Sequence, residues 1–396
     1  MIAFFADSSK PATTVRQATK HSQTLELPTS SATAVAMEKY SRWRDPGTGI
    51  QPFLTPIPPR SEASPLESVF TGIRYVVGVV RAIPIVLCGI LYLLTVEIIG
   101  GILSATTPSV IHRPYCRVAS AVWTRLILLF LGALRLDVKF SASTSRGKSD
   151  LKNTWKPKAG DLIVSNWVSW IELLWFTYKF DPIFVFPSEA SSLGTPPTVF
   201  TLPLSRTLLY TGYTPSTPPT STIRETFSDV QTRAKQQDRV LCLFPEGTTS
   251  NGRGVLKFED VFGNHGERKG WTPFGIWLVC VKYPSPTPLT SSATYSIPSA
   301  FPILAHLLKI LTDFPPFVRG LPTSFTLLAP NDSPLSSSPG LTEACAKGIT
   351  TAGRLKRVGF GWEDKDAFFQ AFYTKKPTGT FSPPDKKPTK GTRKAW

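Results

Sequence analysis

The sequence predicts an α/β fold: a mixed sheet flanked by helices, with an N-terminal membrane helix. Three observations lead there. From about residue 150, short apolar runs of strand length alternate with stretches of helical spacing. A separate apolar stretch at 73–103 is long enough to cross a bilayer. Hydrophobic residues make up 41% of the 396 residues, which suffices for a sizeable core.

The elements follow in chain order. Residues 1–36 are rich in Ser, Thr and Ala and hold two acids, Asp7 and Glu26. They lack the apolar centre of a signal peptide and predict a disordered extension. A short segment, 37–72, leads to the membrane helix, 73–103. Ile83 to Val96 carries no charge, and Glu97 is the sole interruption before Leu103. Arg74 and Arg81 sit at one end, where they can snorkel, and Pro84 suits a helix start. The domain proper is expected over 104–373. Its first apolar run, Leu126 to Leu134, is too short to span and reads as interfacial, re-entrant or a core helix.

Strands are predicted at 161–165, 182–187, 240–244 and 274–283, with a further one at 324–328. Helices are predicted at 170–180, 341–358 and 364–373. Ile223, Phe227, Val230 and Ala234 are spaced as one helical face. The Pro/Thr-rich stretch 194–220 reads as loop around an apolar patch near Leu208, and 284–300 as loop. The segment 374–396 sets Lys375, Lys376, Lys386, Lys387, Lys390, Arg393 and Lys394 against Asp385, a basic disordered tail.

The formal net charge of +17 favours anionic partners such as phosphates and anionic lipid. Nucleic acid is not expected, because zinc spacing, stacking motifs and a basic recognition helix are all missing from the sequence. Cys88, Cys116, Cys242, Cys280 and Cys345 are widely separated. They read as reduced packing residues in a cytosol-facing protein, with no metal site.

One motif carries chemistry. Phe244-Pro-Glu-Gly-Thr-Thr-Ser250 follows the strand VLCLF directly. An acid at a strand end, ahead of a glycine turn, suits a ligand site in an α/β sheet. Gly247 allows close backbone approach, Thr248 and Thr249 add hydroxyls, and Arg253 and Lys257 offer cations for a phosphate.

The run FPEGTTS resembles the FPEGTRS block of the glycerolipid acyltransferase family. That resemblance implies acyl transfer from a thioester to a glycerol phosphate hydroxyl, with Glu246 binding the acceptor. Thr249 stands at the family's phosphate-binding Arg, and Arg253 is a nearby stand-in. The family's other block, Asn-His-x-Ser-x-x-Asp, is matched by Asn166-Trp-Val-Ser-Trp-Ile-Glu172. Asn166 and Ser169 agree; Trp167 replaces the histidine base and Glu172 the aspartate. An indole N–H donates only, so Trp167 cannot take a proton. Three readings stay open. Glu172 is the base, its pKa raised by burial against the lowering effect of a helix N-terminus. Alternatively His265, in the loop GNHGERKG, swings in. Or the site turns over weakly or not at all. Ser169 and Glu172 also spell a capping box, which explains both structurally.

Residues 37–54, MEKYSRWRDPGTGIQPFL, resemble the N-terminus of a fungal branch of the same family. This implies lysophosphatidic acid as acceptor, acyl-CoA as co-substrate with no resident cofactor, and contact with membrane lipids. It also implies residence at the endoplasmic reticulum membrane and lipid droplet.

Overall fold

The computed structural model describes residues 40–58, 65–133, 137–141, 155–189, 197–219, 222–263, 273–287, 290–298, 302–312 and 323–374. The expected extension 1–36, the tail from Lys375 onward and His265 lie outside these residues.

Three largely apolar runs make the middle of the sheet: β2 (Leu162–Ser165), β3 (Ile183–Pro187) and β6 (Leu241–Leu243). Each is buried on both faces, and they pair in parallel as β2–β6–β3. Continuous apolar runs are what parallel strands covered on both sides require. The other strands are β1 (Asp137–Ser141), β4 (Thr198–Leu202), β5 (Arg224–Thr226), β8 (Ile276–Lys282) and β9 (Ser324–Leu328). The eight-stranded order is β1-β9-β8-β2-β6-β3-β4-β5. It is mixed: β8–β9, β3–β4 and β4–β5 run antiparallel. A small parallel ladder joins β7 (Gly254–Val255) to β10 (Lys356–Arg357).

Helices cover both faces. A first apolar cluster joins α3 (Ser109–Phe130), α4 (Ile171–Phe180), α5 (Leu204–Tyr210) and α7 (Pro302–Leu311) to one face of the sheet. At its centre Trp175 stacks on Phe325 at 4.0 Å. A second cluster packs α6 (Phe227–Gln236) and α8 (Leu341–Gly353) on the other face. The last helix is α9 (Trp362–Tyr373).

The apolar helix runs through α1 (Pro65–Tyr92), a π-helical stretch Leu93–Ile99 and α2 (Gly100–Thr106). Gly72–Thr106 is long and apolar enough to cross a membrane by length and composition, with an 18-residue window of mean hydropathy 2.4. Val76, Ile83 and Ile102 are each at least 60% exposed, an apolar face that the domain leaves uncovered.

Several expectations need correction. The expected membrane helix is not N-terminal. Trp43 meets Phe368 at 5.3 Å, Phe53 meets Phe360 and Phe368, and the Asn251 amide donates to the Gln51 and Leu54 carbonyls. The segment before the helix is therefore part of the domain after it. Arg81 does not snorkel; it is buried and donates to the Phe130 and Leu311 carbonyls. Pro84 lies inside α1, not at a helix start. The run from Leu126 divides between α3 and the turn after it, with Leu128, Leu131 and Ala133 fully buried, so the core-helix reading holds there. The stretch 194–220 is not all loop, because TVFTL pairs as β4 and Pro203 leads into α5. Ile223 is 75% exposed; the helical face begins only at Phe227, after β5.

Candidate active site

β2 and β6 are parallel neighbours, so the turns after Ser165 and Leu243 leave the sheet at the same end. This brings the Asn166 and Glu246 motifs together. Asn166 is a fastener: its amide donates to the Val281 carbonyl at 3.0 Å and accepts from the Val281 N–H at 2.8 Å. Glu246 is fully buried and bridges two segments. Oε2 accepts from the Trp167 N–H at 3.0 Å and Oε1 from the Leu256 N–H at 2.9 Å.

Glu172, also fully buried, takes the next two amides. Its Oε1 accepts from Val168 N–H and Ser169 N–H, both at 2.6 Å, and its Oε2 from the Tyr283 hydroxyl at 2.6 Å. Three successive backbone N–H groups, 167 to 169, thus converge on two carboxylates. One half of the capping box exists, the carboxylate on the Ser169 N–H. The other half does not: the Ser169 hydroxyl is buried without a hydrogen-bond partner. Burial pushes the Glu172 carboxyl up to about 7 and that of Glu246 up to about 8, against the hydrogen bonds that favour their anions. A carboxyl near neutrality is suited to moving a proton.

Trp167, the residue that the resemblance sets against a histidine base, is an aromatic plug. Its ring lies 5.0 Å from Phe186 and 5.2 Å from Phe244, and its N–H donates to the Ser169 carbonyl. Gly247 has φ +67°, and a Cβ there would meet Pro215 Cγ at 2.9 Å, so both conformation and space call for glycine.

The hydroxyls expected at the substrate are turned inward. Thr248 and Thr249 are fully buried. Thr248 donates to the Tyr213 carbonyl at 2.7 Å. Both threonines accept from Lys365, whose ammonium lies 2.7 Å from Thr248 Oγ1, 2.7 Å from the Thr249 carbonyl and 3.2 Å from Thr249 Oγ1. Lys365 reaches in from α9 and is itself fully buried. Arg253 and Lys257, the cations sequence reasoning chose, are exposed.

Three side chains of this region were missed: Lys365, Tyr283 and His306. His306 accepts from the Trp170 indole at Nδ1, 2.9 Å, which leaves its Nε2–H to donate to the Ser292 carbonyl at 2.9 Å. Burial pushes it down to about 4, so it is neutral near pH 7. The scarcity of histidines was its one signal. Among the described residues, no group of His, Cys, Asp and Glu is arranged to hold a metal ion.

Comparison with known proteins adds one relative. No family model matches the chain, and no solved structure matches it. It is 25% identical over 339 residues to a protein of Schizosaccharomyces pombe named "Putative lysophosphatidic acid:oleoyl-CoA acyltransferase", covering 85% of this chain and 98% of that protein.

Proposed function

We propose that the chain is a membrane-bound acyltransferase that converts lysophosphatidic acid to phosphatidic acid with an acyl-CoA. This reading places it in glycerolipid synthesis at the endoplasmic reticulum membrane and lipid droplet. The acceptor oxygen attacks the thioester carbonyl carbon, the C–S bond breaks, and the hydroxyl proton passes through Glu172 to the departing CoA thiolate. Glu246 holds the turn that carries Glu172. The observation that carries the reading is the convergence of both carboxylates on one three-residue turn, with Glu172 raised to about 7. The named relative, similar over nearly its whole length, supports it.

The test is acyl transfer by the full chain in detergent, with oleoyl-CoA and lysophosphatidic acid, beside Glu172→Gln. Glutamine can keep both amide bonds at Oε1 and donate to the Tyr283 oxygen, so the turn survives. A rate about 10²–10⁴-fold lower is expected, the usual worth of a general base. Equal rates would remove Glu172 as base, and no product from the wild type would sink the enzyme.

A second reading, a catalytically inactive acyltransferase-like membrane protein that binds lipid or a trafficking partner, rests on a specific observation. Every oxygen of Glu172 and Glu246 already holds a protein donor. It expects lipid binding without product in the same assay.

A further inference from the structure

Far from the Glu246 motif, at the opposite end of the sheet, lies a cavity of about 590 Å³. The entry to β3 and the loop before β6 line one side through Asp181 and Arg239, and the start of α3 adds Arg113. The membrane helix lines the other side through Val96, Glu97 and Gly100.

Three observations meet there. Glu97 is the one acid between Gly72 and Thr106, and its Oε1 is buried without a hydrogen-bond partner. An acid within a membrane segment is costly and persists where it meets a partner. Second, Glu97 sits on the π-helical stretch Leu93–Ile99, a widened turn frequent at functional sites. Trp123 holds that turn by donating to Thr95 Oγ1 at 2.9 Å, and Tyr115 by donating to the Thr95 carbonyl at 3.2 Å. Third, two guanidinium groups share one carboxylate on the domain side. Arg113 donates to Asp181 Oδ2 at 2.6 Å and Arg239 to Asp181 Oδ1 at 3.3 Å, which leaves one positive charge over.

The cavity therefore offers surplus cation from the domain and, from the membrane helix, the Glu97 carboxyl, whose buried Oε1 has no donor. We propose that it binds the headgroup of a zwitterionic membrane phospholipid bearing a primary amine, with the phosphodiester at Arg113 and Arg239 and the ammonium at Glu97. A primary ammonium brings three N–H donors to the carboxylate, whereas a quaternary one brings none. Guanidinium donors suit a phosphate. The source is a lipid, because the helix that carries Glu97 also bears exposed Ile98 and Ile102, so an acyl chain has an apolar surface to follow. This site shares no residue with the proposed acyl-transfer chemistry, and its test does not read turnover.

The full chain is reconstituted in nanodiscs of equimolar phosphatidylethanolamine and phosphatidylcholine, extracted, and its retained lipid counted by native mass spectrometry. Retention of phosphatidylethanolamine over phosphatidylcholine by about tenfold is expected, a modest difference in affinity. Glu97→Gln should bring the ratio near one. With wild type alone, phosphatidylethanolamine carrying one, two and three N-methyl groups should be retained in falling order, a series that needs no variant to fold. Equal retention of the two lipids, or a flat methylation series, overturns the site. An unchanged ratio in folded Glu97→Gln removes Glu97 from it. Displacement by soluble glycerophosphoethanolamine at equal concentration overturns the lipid source.

Discussion

The two ends of the sheet treat buried acids in opposite ways. At the motif end, Glu172 and Glu246 have all four oxygens occupied by backbone amides and the Tyr283 hydroxyl. At the other end, Glu97 keeps a buried oxygen with no donor. A saturated buried carboxylate fixes the chain around it, while an unsaturated one holds binding capacity in reserve. The most conspicuous motif of the sequence is thus the more rigid of the two regions. Perturbing each acid in turn breaks or sharpens that contrast.

The largest effect belongs to Glu246. Glu246→Ala orphans the amides of Trp167 and Leu256, each at about 1–3 kcal/mol, so a loss of about 2–6 kcal/mol is expected by denaturant titration in detergent. Above about pH 8, where Glu246 is ionised, Glu246→Gln should also destabilise, because both oxygens then accept and the new NH₂ must face an N–H. Glu172→Gln should be milder, since Tyr283 can reverse its hydrogen bond. Equal loss in the two Gln variants would contradict the geometry.

Next comes pH. Both carboxyls lie above their ordinary value of 4.5, Glu172 near 7 and Glu246 near 8. The folded chain therefore holds protons that the unfolded chain releases. Their contribution is full below about pH 4.5 and is lost as pH rises toward 8, by at most about 1.4 kcal/mol per pH unit for each group. Unfolding midpoints between pH 5 and 8 should fall for wild type and fall less for Glu172→Gln. A midpoint that stays level between pH 5 and 8 in both would show the carboxylates to be ionised throughout.

Lys365 gives a smaller effect. Lys365→Met removes the donor to Thr248 Oγ1 and to the Thr249 carbonyl, at about 1–3 kcal/mol. Part is returned, because a methionine needs no hydration and the buried ammonium did. No loss of stability in this variant would mean that the threonine loop is held by Tyr213 and the backbone alone.

What the sequence could reveal of these regions followed from distance along the chain. The strands at 162–165, 183–187 and 241–243 were legible because a strand buried on both faces is apolar along nearly all its length. Glu246 was legible because strand end, acid and glycine are contiguous. Lys365, Tyr283 and His306 were not: their partners lie 117, 111 and 136 residues away, and nothing local marks a lysine as buried. The prolines at 196, 197 and 203 hid β4 and α5 by reading as loop, though Pro203 in fact leads into a helix. Arg81 was misjudged for the same reason, since its acceptors, Phe130 and Leu311, are remote.

Glu97 gives the smallest shift and the sharpest contrast, because its sign depends on the lipid present. In micelles free of amine-bearing lipid, Glu97→Leu replaces an unsatisfied oxygen by an apolar group on an apolar helix. Stability should hold or rise by about 1 kcal/mol, the reverse of Glu246→Ala. With phosphatidylethanolamine in the micelle, the wild type gains ligand-linked stability that Glu97→Leu cannot, since binding to the folded state alone adds RT ln(1 + [L]/Kd). The order of the two thermal midpoints should therefore invert on adding that lipid and stay put on adding phosphatidylcholine. If Glu97→Leu is the less stable in both micelles, the free oxygen is satisfied inside the protein, and the two ends of the sheet are built on one principle.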